Sequence, residues 1–311
     1  MEMKLIADSG STKTEWALML ENGETVSSCL TDGLNPYHLT DEEMLQVLQV
    51  QLKESLVASA TMDVAFPDAI TEVYFYGSGV TEAMKPKMDT LLSQVFTQAD
   101  VHAESDLLGA ARALFGHESG IACILGTGSN SCYYDGERIL ENTPPLGYIL
   151  GDEGSGTDLG KHLLNAIFKG LLPPAVKDHF LVWSELDYPT IINKVYRQPL
   201  ANRFLASLTR FITHEMSVTE KAKCDTPEHD IHVGLDMMVQ ECFSNFCLRN
   251  LSAYLSAHED DEEGLMPVGF VGSIAHYFHS QLDAVCCEFP LRIVKVMKAP
   301  MAGLLDYHRE K

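Results

Sequence analysis

The chain has 311 residues, 46% of them hydrophobic, which is enough for two domains of ordinary size or one large one. Its formal net charge is −22, and this disfavours a nucleic-acid partner because duplex binding needs a basic surface. No window reaches about 18 uninterrupted apolar residues and the N-terminus lacks a signal-peptide pattern, so we expect no membrane segment and no export. Eight cysteines without CxxC spacing are typical of reduced, buried thiols, and a cytoplasmic location is expected.

The first third of the chain alternates predicted strands with predicted helices, which indicates an α/β domain. The predicted elements are three strands over 3–30, a helix over 41–56, a strand over 72–80, a helix to about 98, a strand near 100–103 and a helix from Ser105 to Gly116. Within the first segment, Asn22-Gly23 predicts a type I′ hairpin turn.

The strand–loop–strand pattern then restarts at residue 121, with Asp135-Gly136 as the predicted hairpin turn of the segment 121–139. When the two segments are aligned, Asp8-Ser9-Gly10-Ser11 falls on Gly126-Thr127-Gly128-Ser129. An internal repeat of this kind predicts two related domains that face each other, although strand–turn–strand pieces also recur by chance.

The remainder of the chain predicts a helical region followed by further α/β elements. These are helices over 154–256, a strand, turn and helix start over 264–278, a strand over 291–296 and a last helix from about Met301. We therefore expect one domain over 1–117, joined by the C-terminal helix of about 297–311, and a second over 118–296 that carries a helical insert.

Four Gly-rich turns follow apolar strands, at 9–14, 77–81, 126–130 and 269–273. Such turns expose backbone N–H groups that can bind phosphate, and four together favour a nucleotide cleft over chance. The chain has neither GxxxxGK[ST] nor GxGxxG, so the sequence does not support a P-loop or a Rossmann phosphate site.

Five segments carry a family resemblance: DSGSTKTEW, SDLLGAARAL, GTGSNS, LGYILGDEGSGTDLG and GFVGSIA. They occur in the order seen in the N-acetylglucosamine kinases, so the chain resembles BadF/BadG-type ATPases of the actin, Hsp70 and sugar-kinase superfamily. The resemblance covers nearly the whole chain and is weakest at about 170–260. It implies two ribonuclease H-like domains around a central nucleotide cleft, with ATP and Mg²⁺ between two phosphate-binding hairpins, and relatives are often homodimers.

The resemblance also implies roles for the residues of both hairpins. Asp8 would orient Mg²⁺, which needs only one or two carboxylates because it keeps several waters. The predicted phosphate and adenosine contacts are Ser11, Thr12, Lys13, Gly126, Thr127, Gly128, Gly272 and Ser273. From the residues alone, Asp8 could equally stabilise a turn, and Lys13 could be a merely exposed lysine.

Asp106 matches the catalytic carboxylate of the family, and the resemblance implies that it acts as general base in phosphoryl transfer. Read alone, Ser105-Asp106 could be a plain helix N-cap. The implied sugar contacts are Asn35, Ser129, Asn130, Gly147 and Asp152, whose side chains would offer donors and acceptors to vicinal hydroxyls. Asp152-Glu153 could otherwise be the charged first turn of the following helix.

One position departs from the family pattern. Many members have tryptophan before the glycine that corresponds to Gly147, whereas this chain has Leu146 there and Tyr148 after it. The contact to the acetamido end of the substrate is therefore expected to differ.

The function implied is an ATP-dependent kinase acting on N-acetylglucosamine or a related amino sugar, at the 6-hydroxyl. Two alternatives stay open at this point. An ATPase activator of a CoA-dehydratase-type enzyme would need iron–sulfur cysteines, and Cys123 and Cys132 flank the second hairpin, although no paired-Cys glycine motif is present. A non-catalytic carbohydrate sensor would not need both Asp8 and Asp106.

Overall fold

The computed structural model describes residues 2–10, 12–257 and 264–309. The strands in this part of the chain are β1 (Met3–Ser9), β2 (Lys13–Leu20), β3 (Thr25–Asp32), β4 (Ile70–Gly77), β5 (Asp100–Ser105), β6 (Gly120–Leu125), β7 (Ser129–Tyr134), β8 (Ile139–Thr143), β9 (Met266–Val271) and β10 (Leu291–Met297). They form two sheets of five strands each.

The helices divide into two groups along the chain. Those before β9 are α1 (Asp41–Gln46), α2 (Lys53–Ser59), α3 (Lys85–Val95), α4 (Asp106–Phe115), α5 (Gly147–Leu150), α6 (Gly156–Lys169), α7 (Pro174–Ser184), α8 (Tyr188–Tyr196), α9 (Ala201–Ser207), α10 (Thr209–Thr219), α11 (Pro227–Phe246) and α12 (Ser252–Ala257). Those after it are α13 (Ser273–Tyr277), α14 (His279–Cys286) and α15 (Met301–Arg309). π-Helical turns at Val47–Leu52 and Cys247–Leu251 join α1 to α2 and α11 to α12.

The chain divides into two compact units. Unit 1 contains the described residues of Met1–Ser119, Tyr134–Ile139 and Ala299–Lys311, and unit 2 those of Gly120–Tyr133 and Leu140–Lys298. Each unit has its own sheet and its own hydrophobic core.

The sheet of unit 1 has the strand order β3-β2-β1-β4-β5. β1, β2 and β3 are antiparallel neighbours, whereas β1, β4 and β5 run parallel. Ser9 pairs with Gly77, and Gly77 pairs with Ser105, so the three parallel strands end in register. The residues that follow these strands are therefore held at one edge of the sheet.

The sheet of unit 2 has the order β8-β7-β6-β9-β10, with β6, β9 and β10 parallel. Taken in chain order, this is the same arrangement as in unit 1. Ile124 pairs with Val271, and Val271 pairs with Met297. The matching topologies confirm the predicted fold class, in which two α/β units of actin-like ATPase type repeat one design.

The register of the repeat differs from the sequence alignment by two residues. In unit 1 the N–H of Gly10 donates to the carbonyl of Lys13 at 3.0 Å, and in unit 2 the N–H of Gly126 donates to the carbonyl of Gly128 at 3.0 Å. Gly10 therefore corresponds to Gly126, and the alignment of Asp8 with Gly126 was wrong. The two hairpins differ by one residue in loop length, so matching their Gly and Ser letters shifted the alignment.

The first hairpin turn also differs from its prediction. Leu20 accepts from the N–H of Gly23, and its own N–H donates to Glu24, so the loop contains three residues. Only Gly23 has a positive φ, of 81°, while Asn22 does not. A type I′ turn needs positive φ at both central residues, so the turn is instead followed by a glycine bulge.

Alternate residues of β2 contribute to the hydrophobic core of unit 1. β2 turns Trp16 and Leu18 inward, and Trp16 donates its indole N–H to Thr31 Oγ1 at 2.9 Å, so no polar atom of this ring is left unsatisfied. α15 packs against α4, where a Cβ on Gly303 would lie 2.2 Å from the carbonyl oxygen of Ala113. The last helix of the chain therefore contributes to unit 1.

The eight cysteines are free thiols, as predicted, and five of them are buried. Cys224 and Cys287 are exposed, which the expectation of buried thiols did not include. Among the described residues, no helix combines the length and apolarity that crossing a bilayer requires.

Candidate functional site

The carboxyl edge of the unit 1 sheet brings two acidic side chains to one place. Asp8 is the penultimate residue of β1, and Asp106 follows β5 directly as the first residue of α4. Because β1, β4 and β5 are parallel and end in register, both carboxylates lie at this edge. The negative charge of Asp106 helps to raise the pKa of Asp8, so the two carboxyl groups lie within electrostatic reach of each other.

Asp106 is not the N-cap of its helix. Ser105 has that role, since its Oγ accepts from the N–H of Leu108 at 3.2 Å. Burial raises the pKa of Asp106 to about 6, and hydrogen bonds from the N–H groups of Leu107 and Asp106 itself oppose the rise. The carboxylate is therefore mostly ionised at neutral pH and retains an affinity for a proton, as a general base requires.

The Asp8 carboxyl lies in an electronegative environment. Burial, followed by the charges of Asp106 and Glu15, raises its pKa to about 7 against the opposing charge of Lys13. A half-buried carboxylate whose ionisation is opposed by neighbouring carboxylates is a place that a cation would stabilise. With its oxygen-only donors, Asp8 fits Mg²⁺, which takes one carboxylate and several waters.

The loop of the first hairpin is presented to solvent. Thr12 and Lys13 are exposed, and the Lys13 charge acts on Asp8, so this lysine lies within electrostatic reach of the carboxylate. Ser11, the remaining predicted phosphate contact of this hairpin, lies outside the described residues.

Asn35 lies against the glycine turn that follows β4. Its side chain is buried, and its Oδ1 accepts from the N–H of Tyr37 at 2.9 Å. Gly79 has φ of 83°, and a Cβ there would lie 2.7 Å from Asn35 Oδ1. Glycine alone combines this positive φ with room for the Asn35 side chain. The sequence analysis singled out the turn but missed this contact.

The second hairpin offers backbone donors. Its carbonyls point to α6, because the N–H of Gly156 donates to Gly126 at 2.8 Å and that of Thr157 to Thr127 at 3.1 Å. In the part of the chain that the structure describes, no protein acceptor meets the N–H groups of Thr127 and Gly128. Two successive unpaired N–H groups at a loop tip form an anion-binding feature.

A cavity of about 590 Å³ adjoins this hairpin. It is lined by Gly126, Thr127, Arg203, Ala206, Ser207, Thr209, Arg210, Thr213, Ser273, Ile274, Tyr277 and Phe278. The predicted residues Gly126, Thr127 and Ser273 are thus brought together. Its mixed apolar and polar lining and its size suit a nucleoside. Arg203 and Arg210 were missed by sequence reasoning, since they lie in the helical region where the family resemblance is weakest.

Gly272 holds the turn between β9 and α13. Its φ is 129°, and a Cβ would lie 2.1 Å from the carbonyl oxygen of Leu125, so no other residue fits. Its N–H donates to the carbonyl of Met297 at 2.9 Å. The glycine therefore lets β9 and β6 approach closely and directs Ser273 into the cavity wall.

Asp152 and Ser129 form the polar centre of the remaining unit 2 site. Asp152 Oδ1 accepts from the N–H of Ser129 at 3.3 Å, and burial raises the Asp152 pKa. Ser129 Oγ is buried and has no hydrogen-bond partner among the described residues. Asp152 has φ of 55°, which is unusual for a residue other than glycine and often accompanies a functional site.

The loop before α6 ties Gly147 to Asp152. The N–H of Gly151 donates to Gly147 at 2.8 Å, and that of Asp152 donates to Pro145 at 3.0 Å. Leu146, in the position of the family tryptophan, is 64% exposed with φ of 59°. The loop therefore exposes an aliphatic side chain at this position.

Two further polar residues have structural partners. Asn130 Oδ1 accepts from the side-chain amide of Asn142 at 2.9 Å, so its oxygen is committed within the sheet. Glu153 binds Arg249 at 3.0 Å. α6 begins only at Gly156 behind the N-cap Ser155, so the alternative that Asp152-Glu153 form its first turn was wrong.

The comparisons with known proteins agree with this arrangement. No family model matches the chain. A presumed N-acetylglucosamine kinase from Porphyromonas gingivalis has a structure with 38% identity and a TM-score of 0.85, covering 99% of both chains. An N-acetylmuramic acid/N-acetylglucosamine kinase from Clostridium acetobutylicum is 25% identical over 66% of this chain and 68% of its own length.

A ROK family glucokinase from Streptomyces griseus, solved with glucose and AMPPNP, shares the fold with a TM-score of 0.57 at 14% identity, over 98% of this chain and 97% of its own. The fold and the paired hairpins define an actin-like sugar-kinase architecture. The chain belongs to the N-acetylglucosamine kinase family of BadF/BadG type, a family of ATP-dependent sugar phosphotransferases. The predicted family, fold class and enzyme class are confirmed.

Proposed function

We propose that the chain transfers the γ-phosphoryl group of ATP to the 6-hydroxyl of N-acetylglucosamine or a related amino sugar. The observation that carries the proposal is the environment of Asp106. Burial raises the pKa of its carboxyl group to about 6, and Ser105 is the N-cap of α4, so the Asp106 side chain does not cap the helix. The two kinase relatives support the substrate class.

Asp106 would accept the proton of the attacking sugar hydroxyl. As the oxygen–phosphorus bond forms, the bond between the γ-phosphorus and its bridging oxygen breaks, and ADP leaves with the bridging oxygen. Placement at the start of α4, directly after the edge strand β5, holds the carboxylate in one orientation. This rigidity suits phosphoryl transfer, which depends mainly on positioning and charge neutralisation.

The nucleotide contacts follow from the two hairpins. Asp8 would hold Mg²⁺, which supplies positive charge to the phosphates. Ser11, Thr12 and Lys13 are proposed phosphate contacts in unit 1. In unit 2 the proposed contacts are Gly126, Thr127 and Gly128, the last two through their unpaired N–H groups. Gly272 and Ser273 would border the adenosine, with the 590 Å³ cavity as its place.

The sugar contacts combine buried amide, hydroxyl and carboxylate groups. We assign them to Asn35, Ser129, Asn130, Gly147 and Asp152. The unpaired hydroxyl of Ser129 supports the assignment, because a buried polar atom without a protein partner is explained by a ligand. The domain over 1–117 would thus supply sugar and Mg²⁺ contacts, and that over 118–296 ATP and sugar contacts. The homodimer stays a prediction.

No observation favours the alternatives. Cys123 and Cys132 are fully buried, and burial raises both thiol pKa values, that of Cys132 to about 12. Two thiols also fall short of the four cysteine ligands that an iron–sulfur cluster takes. The presence of both Asp8 and Asp106 at one sheet edge argues against a sensor without catalysis.

An ADP-release assay with a panel of hexoses and hexosamines tests the proposal. We expect release that depends on sugar and is fastest, by kcat/KM, with N-acetylglucosamine, and that stops when a chelator removes Mg²⁺. ATP hydrolysis without sugar at the same rate as with any sugar would overturn the kinase assignment.

A further inference from the structure

Three side chains of different donor type meet between α6 and α11 in unit 2. Asp158 and His162 lie one turn apart on α6, and Cys242 lies on α11. One donor atom from each falls within 4.8 Å of the other two. Asp158 and Cys242 are buried, whereas His162 is partly exposed, which leaves an entry path from solvent.

The spacing fits a small metal ion. His162 Nδ1 lies 3.4 Å from Asp158 Oδ1. Nitrogen and oxygen ligands each bound at about 2.0–2.2 Å to a tetrahedral zinc ion lie about 3.3–3.5 Å apart. The i, i+4 spacing on a helix places two ligands on one face, as in known helical zinc sites.

The surroundings of Asp158 already hold positive charge. Lys161 Nζ lies 3.4 Å from Asp158 Oδ1 and also donates to the carbonyl of Tyr148 at 3.1 Å, so it keeps a partner if it leaves the carboxylate. The N–H of Gly154 donates to Asp158 Oδ2 at 3.1 Å. This second contact orients the carboxylate and leaves Oδ1 for a cation.

We propose that Asp158, His162 and Cys242 form a binding site for Zn²⁺ or a similar borderline transition-metal ion. Nitrogen and thiolate donors select such ions over Mg²⁺, which prefers oxygen ligands alone. The site is thus distinct in chemistry and in place from the proposed Mg²⁺ contact at Asp8. Three protein ligands leave one position of a tetrahedral ion for water.

Protons compete with a metal ion for the imidazole of His162 and the thiol of Cys242. In the metal-free protein His162 Nδ1 lies 3.0 Å from the backbone carbonyl oxygen of Asp158, a contact that fits an N–H donor. A metal ion must displace this proton and that of the thiol, because only the neutral imidazole and the thiolate are ligands. Binding is therefore expected to release protons and to strengthen as the pH rises.

The site lies directly behind the proposed catalytic loops. α6 holds the second hairpin through Gly156 and Thr157, and Asp158 holds the loop of Asp152 through Gly154. A metal ion that ties α6 to α11 would stabilise both loops without touching substrate. The role is structural, so metal binding itself does not depend on the proposed kinase function.

Cobalt titration of chelator-treated full-length protein tests the site. Co²⁺ bound by Cys242 gives a thiolate-to-metal charge-transfer band, and we expect that band to saturate at one equivalent and to disappear on addition of Zn²⁺. Cys242→Ser should abolish it, whereas Cys132→Ser, the same change at another fully buried cysteine of unit 2, should retain it.

His162→Gln provides a second variant that leaves all cysteines in place. We expect it to weaken Zn²⁺ binding at least tenfold in competition with a chromophoric chelator, with an unchanged circular dichroism spectrum. Absence of the thiolate band in the folded wild type, or persistence of the band in Cys242→Ser, would overturn the proposal. ADP release measured on the same samples distinguishes this failure from failure of the kinase function.

Discussion

The two hairpins of this protein share a backbone design and differ in chemistry. β1–β2 and β6–β7 occupy the same positions in two sheets of identical strand order. When Gly10 is matched to Gly126 and the strand pairing is followed across each sheet, Asp8 corresponds to Ile124 and Asp106 to Ala299. The pair of acids is thus confined to unit 1, while unit 2 offers backbone N–H groups, glycines, a cavity and the single carboxylate of Asp152.

The comparison teaches how a duplicated unit can diverge. Binding phosphate with backbone N–H groups requires only a turn of suitable shape, which both copies keep. Proton transfer requires a carboxylate that retains some affinity for a proton, and Mg²⁺ binding requires an oxygen ligand, so one pair of acids is sufficient. A second buried acid pair would add further desolvation cost with no chemical gain.

Removal of the proposed base should have the largest effect. Asp106→Asn is expected to lower kcat about 10²-fold or more, with the ATP and sugar affinities little changed. Steady-state kinetics and equilibrium binding measure the two parts separately. The control is Asp100→Asn, at the exposed start of β5, the strand that precedes Asp106, and it should retain activity. Normal turnover by Asp106→Asn would remove the proposed asymmetry between the units.

The second-largest effect is expected on unit 2 stability. Gly272→Ala places a Cβ against the carbonyl of Leu125 at a φ of 129°, and should lower the unfolding free energy by about 3 kcal/mol or more. Gly170→Ala has positive φ but meets no atom within 4 Å, so it should cost only about 1–2 kcal/mol. Urea unfolding of both variants measures the difference, and equal losses would contradict the close approach of β9 to β6.

A subtler change should affect sugar binding through the second hairpin. A Cβ at Gly128 would lie 3.0 Å from Asp152 Oδ2, so Gly128→Ala should displace this carboxylate and raise the sugar KM about 10-fold. In Gly126→Ala the new Cβ meets its nearest atom only at 4.0 Å. We expect its sugar KM to change less than about 2-fold. A reversed order in the kinetics would argue against Asp152 as a sugar ligand.

The smallest expected effect concerns the loss of stability that ionisation of Asp8 causes in unit 1. Since the native pKa of Asp8 is raised from 3.8 to about 7, its contribution to stability is present below about pH 4 and lost as the pH rises through 7. In metal-free protein, Asp8→Asn should therefore raise Tm by about 2–4 °C at pH 8 and little at pH 4. Calorimetry at both pH values measures this, and an increase of equal size at pH 4 would exclude an electrostatic origin.

Sequence reasoning predicted the elements and the repeat because both depend on local patterns. Apolar runs and Gly-rich turns located the strands, and the recurrence at residue 121 indicated a second unit. It misplaced the register of the repeat, since pairing depends on hydrogen bonds such as that of Gly10 to Lys13 and not on matching letters. It likewise missed that Asn22 keeps a negative φ.

The site was predicted in parts. Asp8 and Asp106 could be singled out because both stand beside glycine-rich or helix-start motifs, and parallel strand pairing then brings them to one edge. Arg203 and Arg210 could not, because a cavity between helices has no motif of its own. The cluster of Asp158, His162 and Cys242 joins residues 80 positions apart, which only tertiary packing reveals.

Phosphorus NMR of the reaction products tests the central claim most directly. Wild-type protein with ATP, Mg²⁺ and N-acetylglucosamine should yield one sugar 6-phosphate for each ADP formed, and Asp106→Asn should yield neither at a comparable rate. Inorganic phosphate in place of the sugar phosphate, or equal product from both proteins, would contradict the account.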